Sequence, residues 1–170
     1  MDLKRFIRDV PDFPEPGVVF KDITPLLQNV DAFRHAITRL ADPFRDHQIE
    51  TVVGIEARGF IVGAPLALEL GAAFVPIRKK GKLPGVTAEI EYALEYGTAT
   101  VEIHQDGVLP GKRVLIADDV LATGGTMVAA RALVERLGGH IVSLVVLLEL
   151  EDLGGRQRLG GVELLSLLQY

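Results

Sequence analysis

The chain has 170 residues, of which 48% are apolar and 24% charged, so it can bury a substantial core within one domain. Its 18 Lys and Arg against 23 Asp and Glu give a net charge of −5. This balance argues against binding to nucleic acid or to a membrane surface, because both need massed cations. Cysteine is absent, which excludes disulfides, thiol nucleophiles and thiolate metal sites.

Neither a leader nor a membrane span is evident in the sequence. Residues 1–12 carry charges throughout and lack the apolar segment of a signal peptide. The longest apolar run, residues 144–148, is far shorter than the ~20 residues that cross a bilayer. We therefore expect a cytoplasmic protein in which residues 1–170 form a single domain.

Hydrophobic periodicity predicts three main helices. Asp31 is the candidate N-cap of the first, in which four apolar residues recur near helical spacing. These residues are Phe33, Ile37, Leu40 and Phe44. The second helix covers residues 60–70 and ends at Gly71, and the third covers residues 127–137 and ends at the glycine pair 138–139.

Short apolar segments between these helices predict a mostly parallel central sheet. The predicted strands are residues 51–55, 73–77, 113–117, 140–148 and 162–167. They lack the polar alternation of a half-exposed sheet, which is typical of parallel strands covered by helices on both faces. Ligands of such α/β folds bind beyond the carboxyl ends of the strands, here after Ile55, Ile77 and Ala117.

Residues 79–105 interrupt the alternation and predict a lid. They begin within the cationic stretch RKKGKLPG and continue with period-2 patterning at Ala99, Val101 and Ile103. Long excursions of this kind in compact domains are usually functional lids or disordered. We expect a flexible two-stranded hairpin that stands off the main sheet, with its cations either on a solvated face or facing a ligand.

The most informative segment is VLIADDVLATGGT, residues 114–126. A hydrophobic strand delivers the adjacent carboxylates Asp118 and Asp119, and a helix begins four residues later. The loop before that helix is suited to a phosphate monoester, because helix N-termini offer free N–H groups and glycines allow close approach. Its residues are Ala122, Thr123, Gly124, Gly125 and Thr126. The carboxylates beside it can accept hydrogen bonds from a ribose diol, so the segment predicts a ribose 5-phosphate site.

This segment resembles the phosphoribosyl-pyrophosphate (PRPP) signature of the type I phosphoribosyltransferase family. Four further stretches are similar to the branch of that family that acts on adenine, and the similarity runs from about residue 12 to residue 170. They are PGVVFKDITPLL (16–27), GIEARGF (54–60), RKKGKLPG (78–85) and LEYG (94–97). The resemblance implies that family's α/β fold and a magnesium-dependent reaction in which adenine and PRPP give AMP and pyrophosphate.

The resemblance also implies where PRPP binds. The turn Glu56-Ala57-Arg58 would hold the pyrophosphate through its backbone N–H groups and the Arg58 side chain. Three more cations, Arg78, Lys79 and Lys82, would reach the same group. In the family the arginine that matches Arg78 extends into the neighbouring subunit's site, which implies a homodimer. Mg²⁺ would be held mainly by substrate oxygens, with no dedicated protein cage.

The adenine site is expected at Val19, Phe20 and Lys21. Phe20 offers a stacking plane, and in the family the backbone around the other two residues contacts the edge of the base. A residue that matches Val120 covers the opposite face. Many relatives have leucine at that position and valine where this chain has Ala117, and these departures bear on the pocket rather than on the reaction.

Catalysis is assigned to Glu95, Asp118 and Asp119. Glu95 of the LEYG stretch is the candidate general acid–base for the N9 proton of adenine, and Tyr96 would orient the substrate or seal the lid. The two aspartates would offset positive charge that develops at the anomeric carbon. By spacing alone, Glu95 and Tyr96 are ordinary exposed hairpin residues.

Two other functions share parts of this pattern. One is a phosphoribosyltransferase for another base, such as hypoxanthine, guanine or orotate, which would keep the PRPP loop without the VVFKDITPLL and LEYG stretches. The other is a regulatory PRPP or purine sensor, which would be expected to add a nucleic-acid-binding module or a basic face. An assay with each base in turn separates the three.

Overall fold

The computed structural model describes residues 1–94 and 97–170. Its strands are β1 (Arg8–Pro11), β2 (Val19–Asp22), β3 (Thr51–Ile55), β4 (Ala73–Lys79), β5 (Thr87–Ala93), β6 (Thr98–His104), β7 (Arg113–Leu121), β8 (His140–Glu149) and β9 (Leu164–Gln169). The α-helices are α1 (Thr24–Gln28), α2 (Val30–Ala41), α3 (Arg58–Leu70) and α4 (Gly125–Arg136). Short 3₁₀ turns lie at Leu3–Phe6, Asp42–Phe44, Glu151–Leu153 and Gly155–Arg158.

The central sheet is mostly parallel, as the apolar strands predicted. Over the described residues it has seven strands in the order β5-β6-β4-β3-β7-β8-β9. The five neighbouring strands β4, β3, β7, β8 and β9 are all parallel to one another. Strands β1 and β2 form a separate antiparallel pair that places Phe20 opposite Val10, an element that the sequence did not predict.

The hairpin does not stand off the sheet, so that expectation was wrong. Strands β5 and β6 do form the predicted antiparallel pair, but β6 also pairs with β4 at Arg78↔Glu102 and Lys79↔Val101. The physical reason is the length of β4. It runs two residues past the predicted end at Ile77, and its open edge accepts another strand.

Alternate residues of the central strands pack into two separate cores. On one face Val52 and Leu115 pack with α2 and α3. On the other face Val53 and Ile116 pack with α4 and the hairpin. This division follows from the two-residue period of a strand, and it explains why these strands are apolar at nearly every position.

Helix boundaries differ from the predictions in small ways. Asn29, not Asp31, caps α2, because its carboxamide oxygen accepts the N–H of Ala32 at 2.9 Å. Helix α3 starts at Arg58 rather than residue 60 and ends at Gly71 in the left-handed conformation, φ 66°. Of the helices in the described residues, none is long and apolar enough to span a membrane.

Candidate active site

A cavity of about 430 Å³ opens at the carboxyl ends of β3 and β7, between the first turns of α3 and α4. Its lining joins two segments that lie about sixty residues apart in the sequence. The lining residues are Glu56, Ala57, Arg58, Asp118, Asp119, Val120, Leu121, Ala122, Thr123, Gly124, Gly125, Thr126 and Met127. The structure thus brings the predicted diol, 5-phosphate and turn residues to one place.

The acid pair lies inside β7, which extends to Leu121 rather than ending at Ala117. Asp118 Oδ1 accepts the N–H of Asp119 at 2.9 Å, and Asp119 Oδ2 lies 2.6 Å from Arg58 Nε. Burial raises the pKa of both carboxyls. The negative charge of Asp119 adds to the rise in the pKa of Asp118, whereas Arg58 opposes the rise in the pKa of Asp119. Each carboxyl has few partners in the described residues, so both retain capacity to accept hydrogen bonds from a ligand.

Gly59 sets the distance between α3 and the acid pair. A Cβ atom at this position would lie 2.8 Å from Asp118 Oδ1 and 3.0 Å from the carbonyl oxygen of Ala117. Both separations are closer than van der Waals contact, so a side chain would push the helix away from β7. The absence of a side chain lets the first turn of α3 reach the cavity. In the turn before α3, the peptide bond between Glu56 and Ala57 is cis.

The loop before α4 is shaped by a distant segment of the chain. Gly124 has φ +83°, and a Cβ atom there would lie 2.9 Å from the carbonyl oxygen of Gly155. Arg158 Nη1 donates to the carbonyl oxygen of Thr123 at 3.0 Å. The first N–H groups of an α-helix have no partner within the helix, so this loop presents donors to the cavity where an anion is expected.

Glu56 connects the cavity to the cationic stretch RKKGKLPG (78–85). Its Oε2 accepts the backbone N–H of Lys79 at 2.9 Å and Nε–H of Arg78 at 3.2 Å. Burial would raise the pKa of Glu56, but the two hydrogen bonds and the nearby positive charge hold that pKa below its ordinary value. Arg78 also donates to the carbonyl oxygen of Lys82 at 3.0 Å, so its guanidinium is engaged within its own chain.

The predicted base-binding residues divide between two environments. The Phe20 ring lies 5.2 Å from the Arg58 guanidinium, which places the ring beside the cavity that Val120 also lines. Val19 is exposed. Lys21 directs its Nζ elsewhere, to Asp9 Oδ1 at 2.7 Å.

Glu95 and Tyr96 lie outside the described residues. The nearest described part of the hairpin bounds a second cavity of about 280 Å³, next to the first. Tyr92, Glu56, Lys79 and Thr126 all contribute to its lining. The Thr126 hydroxyl donates to the Tyr92 hydroxyl at 3.2 Å, so the hairpin contacts the first turn of α4.

Three residues of the site were not found from the sequence. Tyr92 contacts the first turn of α4 from the hairpin, and Gly155 and Arg158 contact the loop before α4 from the segment after β8. Each acts across thirty or more residues of chain, and no local spacing signals such a contact. The neighbouring glycines 154–155 were the one visible hint, because a glycine pair often allows another backbone to approach closely.

Comparisons with known proteins agree with this geometry. The family model described as phosphoribosyl transferase domain matches residues 22–159. An adenine phosphoribosyltransferase of a Cyanothece species is 56% identical over 170 residues, which covers 100% of both chains. The crystal structure of adenine phosphoribosyltransferase from Rhodothermus marinus is 56% identical, with a TM-score of 0.94 over 99% of this chain and 96% of that one. The Saccharomyces cerevisiae enzyme, complexed with an imino-altritol bisphosphate and adenine, is 38% identical, with a TM-score of 0.93 and coverage of 98% and 97%.

Proposed function

The chain belongs to the phosphoribosyltransferase family, in its adenine phosphoribosyltransferase branch, and we infer from this that it transfers the 5-phosphoribosyl group of PRPP to adenine. The products are AMP and pyrophosphate, and the reaction is a step of purine salvage. The observation that carries the inference is one cavity that holds an acid pair, a helix N-terminus and an arginine. These groups match a diol, a phosphate and a second anion.

We propose that residues 122–126 bind the 5-phosphate and that Asp118 and Asp119 bind the ribose hydroxyls. The N–H groups and partial positive charge at the start of α4 favour an anion. The raised pKa of each aspartate reflects burial with few partners, and ribose hydroxyls would supply hydrogen bonds to both. Their negative charge would then stabilise the oxocarbenium-like transition state at the anomeric carbon.

The pyrophosphate is assigned to the turn Glu56-Ala57-Arg58 and to the cations Arg78, Lys79 and Lys82. Arg58 pairs with Asp119 across the cavity, and its exposed guanidinium can turn to an incoming anion. Mg²⁺ would neutralise charge on the leaving group. We assign the metal's ligands mainly to pyrophosphate and ribose oxygens, because Mg²⁺ usually keeps several waters and is held by few protein groups plus substrate phosphates.

Adenine is assigned to Val19, Phe20, Lys21 and Val120. Phe20 would stack on the base, which requires Arg58 to leave the ring face that it now covers. The side chain of Lys21 is held by Asp9, so its backbone would contact the edge of the base. We also propose a cytoplasmic homodimer, in which Arg78 exchanges its bond with Glu56 for a contact in the neighbouring site.

A single assay tests the reaction. PRPP, Mg²⁺ and each purine base in turn are supplied to the protein, and nucleotide formation is followed spectrophotometrically. We expect AMP from adenine and little product from hypoxanthine or guanine. Comparable kcat/KM with another base would contradict the base assignment. PRPP binding without turnover on any base would indicate a sensor instead.

We propose Glu95 as the general base for the N9 proton. Glu95→Gln keeps the shape and removes the basicity, so it should lower kcat by roughly 10²–10⁴-fold, the usual size of such a contribution. The acidic limb of the pH profile should disappear, and PRPP binding should hardly change. Stopped-flow turnover across pH measures this, with Glu91→Gln on the exposed part of β5 as the matched control. A fully active Gln variant would contradict the assignment.

A further inference from the structure

Glu102 is a buried carboxylate that the proposed chemistry does not use. It lies in β6 with 4% of its surface exposed. Its Oε1 accepts two backbone N–H groups, from Lys82 at 3.0 Å and from Leu83 at 2.8 Å. Its Oε2 lies 3.4 Å from the Thr87 hydroxyl. Burying a carboxylate is costly unless hydrogen bonds compensate, and here the compensation comes from the backbone of the cationic loop.

That loop, residues 80–86, has no regular secondary structure and lies against β6. The N–H of Lys80 donates to the carbonyl oxygen of Thr100 at 3.0 Å, and His104 Nε2 donates to the carbonyl oxygen of Pro84 at 2.8 Å. Glu102 lies between these two attachments. Side chains two residues apart in a strand emerge on the same face, so Glu102 and His104 hold the loop from one side.

The contacts of Glu102 extend to Arg78. Glu102 fixes the N–H of Lys82, and the carbonyl oxygen of Lys82 accepts a hydrogen bond from Arg78 Nη1 at 3.0 Å. Arg78 and Glu102 are also direct partners in the β4–β6 register. One buried carboxylate therefore orders the backbone around Lys82 and, through it, the guanidinium of Arg78.

We propose that Glu102 is a positioning residue that holds the cationic loop in the shape that receives the pyrophosphate of PRPP. This proposal rests on the proposed function. The loop carries two like charges, Lys80 and Lys82, that repel each other, and residues without regular structure cost entropy to order. If the loop is already ordered before the ligand arrives, binding does not have to reduce the entropy of the loop. The gain should therefore appear in the affinity for PRPP and not in the affinity for adenine.

Two variants and a matched control test the proposal. Glu102→Ala removes both acceptors. Glu102→Gln keeps a neutral oxygen that can still accept both N–H groups, although hydrogen bonds to a charged acceptor are roughly twice as strong. The control is Glu89→Gln. Glu89 lies directly opposite Glu102 in the β5–β6 register and pairs with Lys80 of the same loop at 3.0 Å, but it is exposed.

We expect Glu102→Ala to raise the KM for PRPP by about tenfold, the usual effect of losing hydrogen bonds to a charged group. The KM for adenine and kcat should stay within about twofold. Glu102→Gln should restore most of the PRPP affinity, with a rise of about two- to fivefold, and Glu89→Gln should match the parent. A role in stability alone would lower the melting temperature and the active fraction without this split between the two substrates.

Three results would overturn the proposal. They are an unchanged KM for PRPP in both variants, equal changes in both KM values, and tighter PRPP binding by Glu102→Gln, since the last would mean that charge repulsion outweighs loop order. If Glu102→Ala does not fold, Glu102→Gln carries the same test. If the parent does not turn over adenine, the proposed function fails by itself, and calorimetry with PRPP and Mg²⁺ on parent and variants still tests Glu102.

Discussion

Two buried carboxylate clusters lie near the carboxyl ends of the neighbouring strands β7 and β8, and they are built in opposite ways. In the β7–β8 register Leu121 faces Glu149, three residues after Asp118. Burial raises the pKa of Asp118 and Asp119. Hydrogen bonds with Arg156 lower the pKa of Glu149 to about 2, although burial opposes them.

The contrast comes from the number of partners. Glu149 accepts hydrogen bonds from Nε and Nη2 of Arg156, from the Ser166 hydroxyl at 2.6 Å and from Gln169 at 3.4 Å. Asp118 accepts the N–H of its neighbour, and Asp119 faces one half-exposed arginine. A carboxylate with a full set of partners stabilises the fold, whereas one that lacks partners inside a cavity reduces stability and can bind substrate. The same kind of side chain thus serves two purposes on adjacent strands.

The largest expected effect tests the acid pair. Asp118→Asn or Asp119→Asn should lower kcat/KM for PRPP by about 10²–10³-fold, as for the loss of one group that stabilises transition-state charge. The free energy of unfolding at pH 7 should not fall, because a neutral amide escapes the cost of burying a charge. Activity assays and urea unfolding on the same samples measure both quantities.

The stability effect of these two substitutions should also depend on pH. A folded-state pKa above the unfolded one means that the native state binds more protons, so the parent loses stability as pH rises through that interval. The Asn variants should lose less. Full activity in both variants would exclude these carboxylates from the ribose site, and a large loss of stability in both would remove the contrast with Glu149.

The second prediction concerns Glu149 and has the opposite pattern. Glu149→Gln should lower the free energy of unfolding at pH 7 by about 2 kcal/mol, since the ion pair that lowers the pKa is lost. The deficit should shrink as pH falls from the ordinary value of 4.5 towards about 2, because the parent carboxylate then becomes protonated. Activity per folded molecule should stay within about twofold. Denaturant unfolding between pH 7 and pH 3 checks this, with exposed Glu151→Gln as the control.

Local patterns predicted the strands of the parallel sheet and three helices, but not α1 or the pair β1–β2. Strand β3 matches its predicted bounds of residues 51–55, because its five residues are buried on both faces. The carboxylates and the loop before α4 were predicted together, since strand, acids and glycines are contiguous. Contacts between distant segments were not predictable: the packing of Gly155 against Gly124, and Glu102 beneath the cationic loop. The same reason explains the wrong placement of the hairpin, because which sheet edge accepts β6 depends on where β4 ends.

The prediction with the smallest expected effect concerns a buried polar group that has no partner and lies outside the active-site cavity. The Tyr170 hydroxyl is buried without a hydrogen-bond partner among the described residues, and burial raises its pKa. Unlike the aspartates, it does not line the active-site cavity. Its ring lies 4.3 Å from Lys21 Nζ and 5.0 Å from Lys4 Nζ, so the aromatic face makes the contacts. Tyr170→Phe keeps that face and removes only the hydroxyl.

We therefore expect Tyr170→Phe to leave the free energy of unfolding unchanged or to raise it by up to about 1 kcal/mol, because a buried hydroxyl without a partner costs stability. The KM for adenine should not change. Tyr170→Leu removes the surface under Lys21 and should lower stability through lost packing and cation–π contact. Thermal unfolding and the adenine KM of both variants make the comparison. A loss above 1 kcal/mol in Tyr170→Phe would mean that the hydroxyl does have a partner, and an altered adenine KM would connect it to the site.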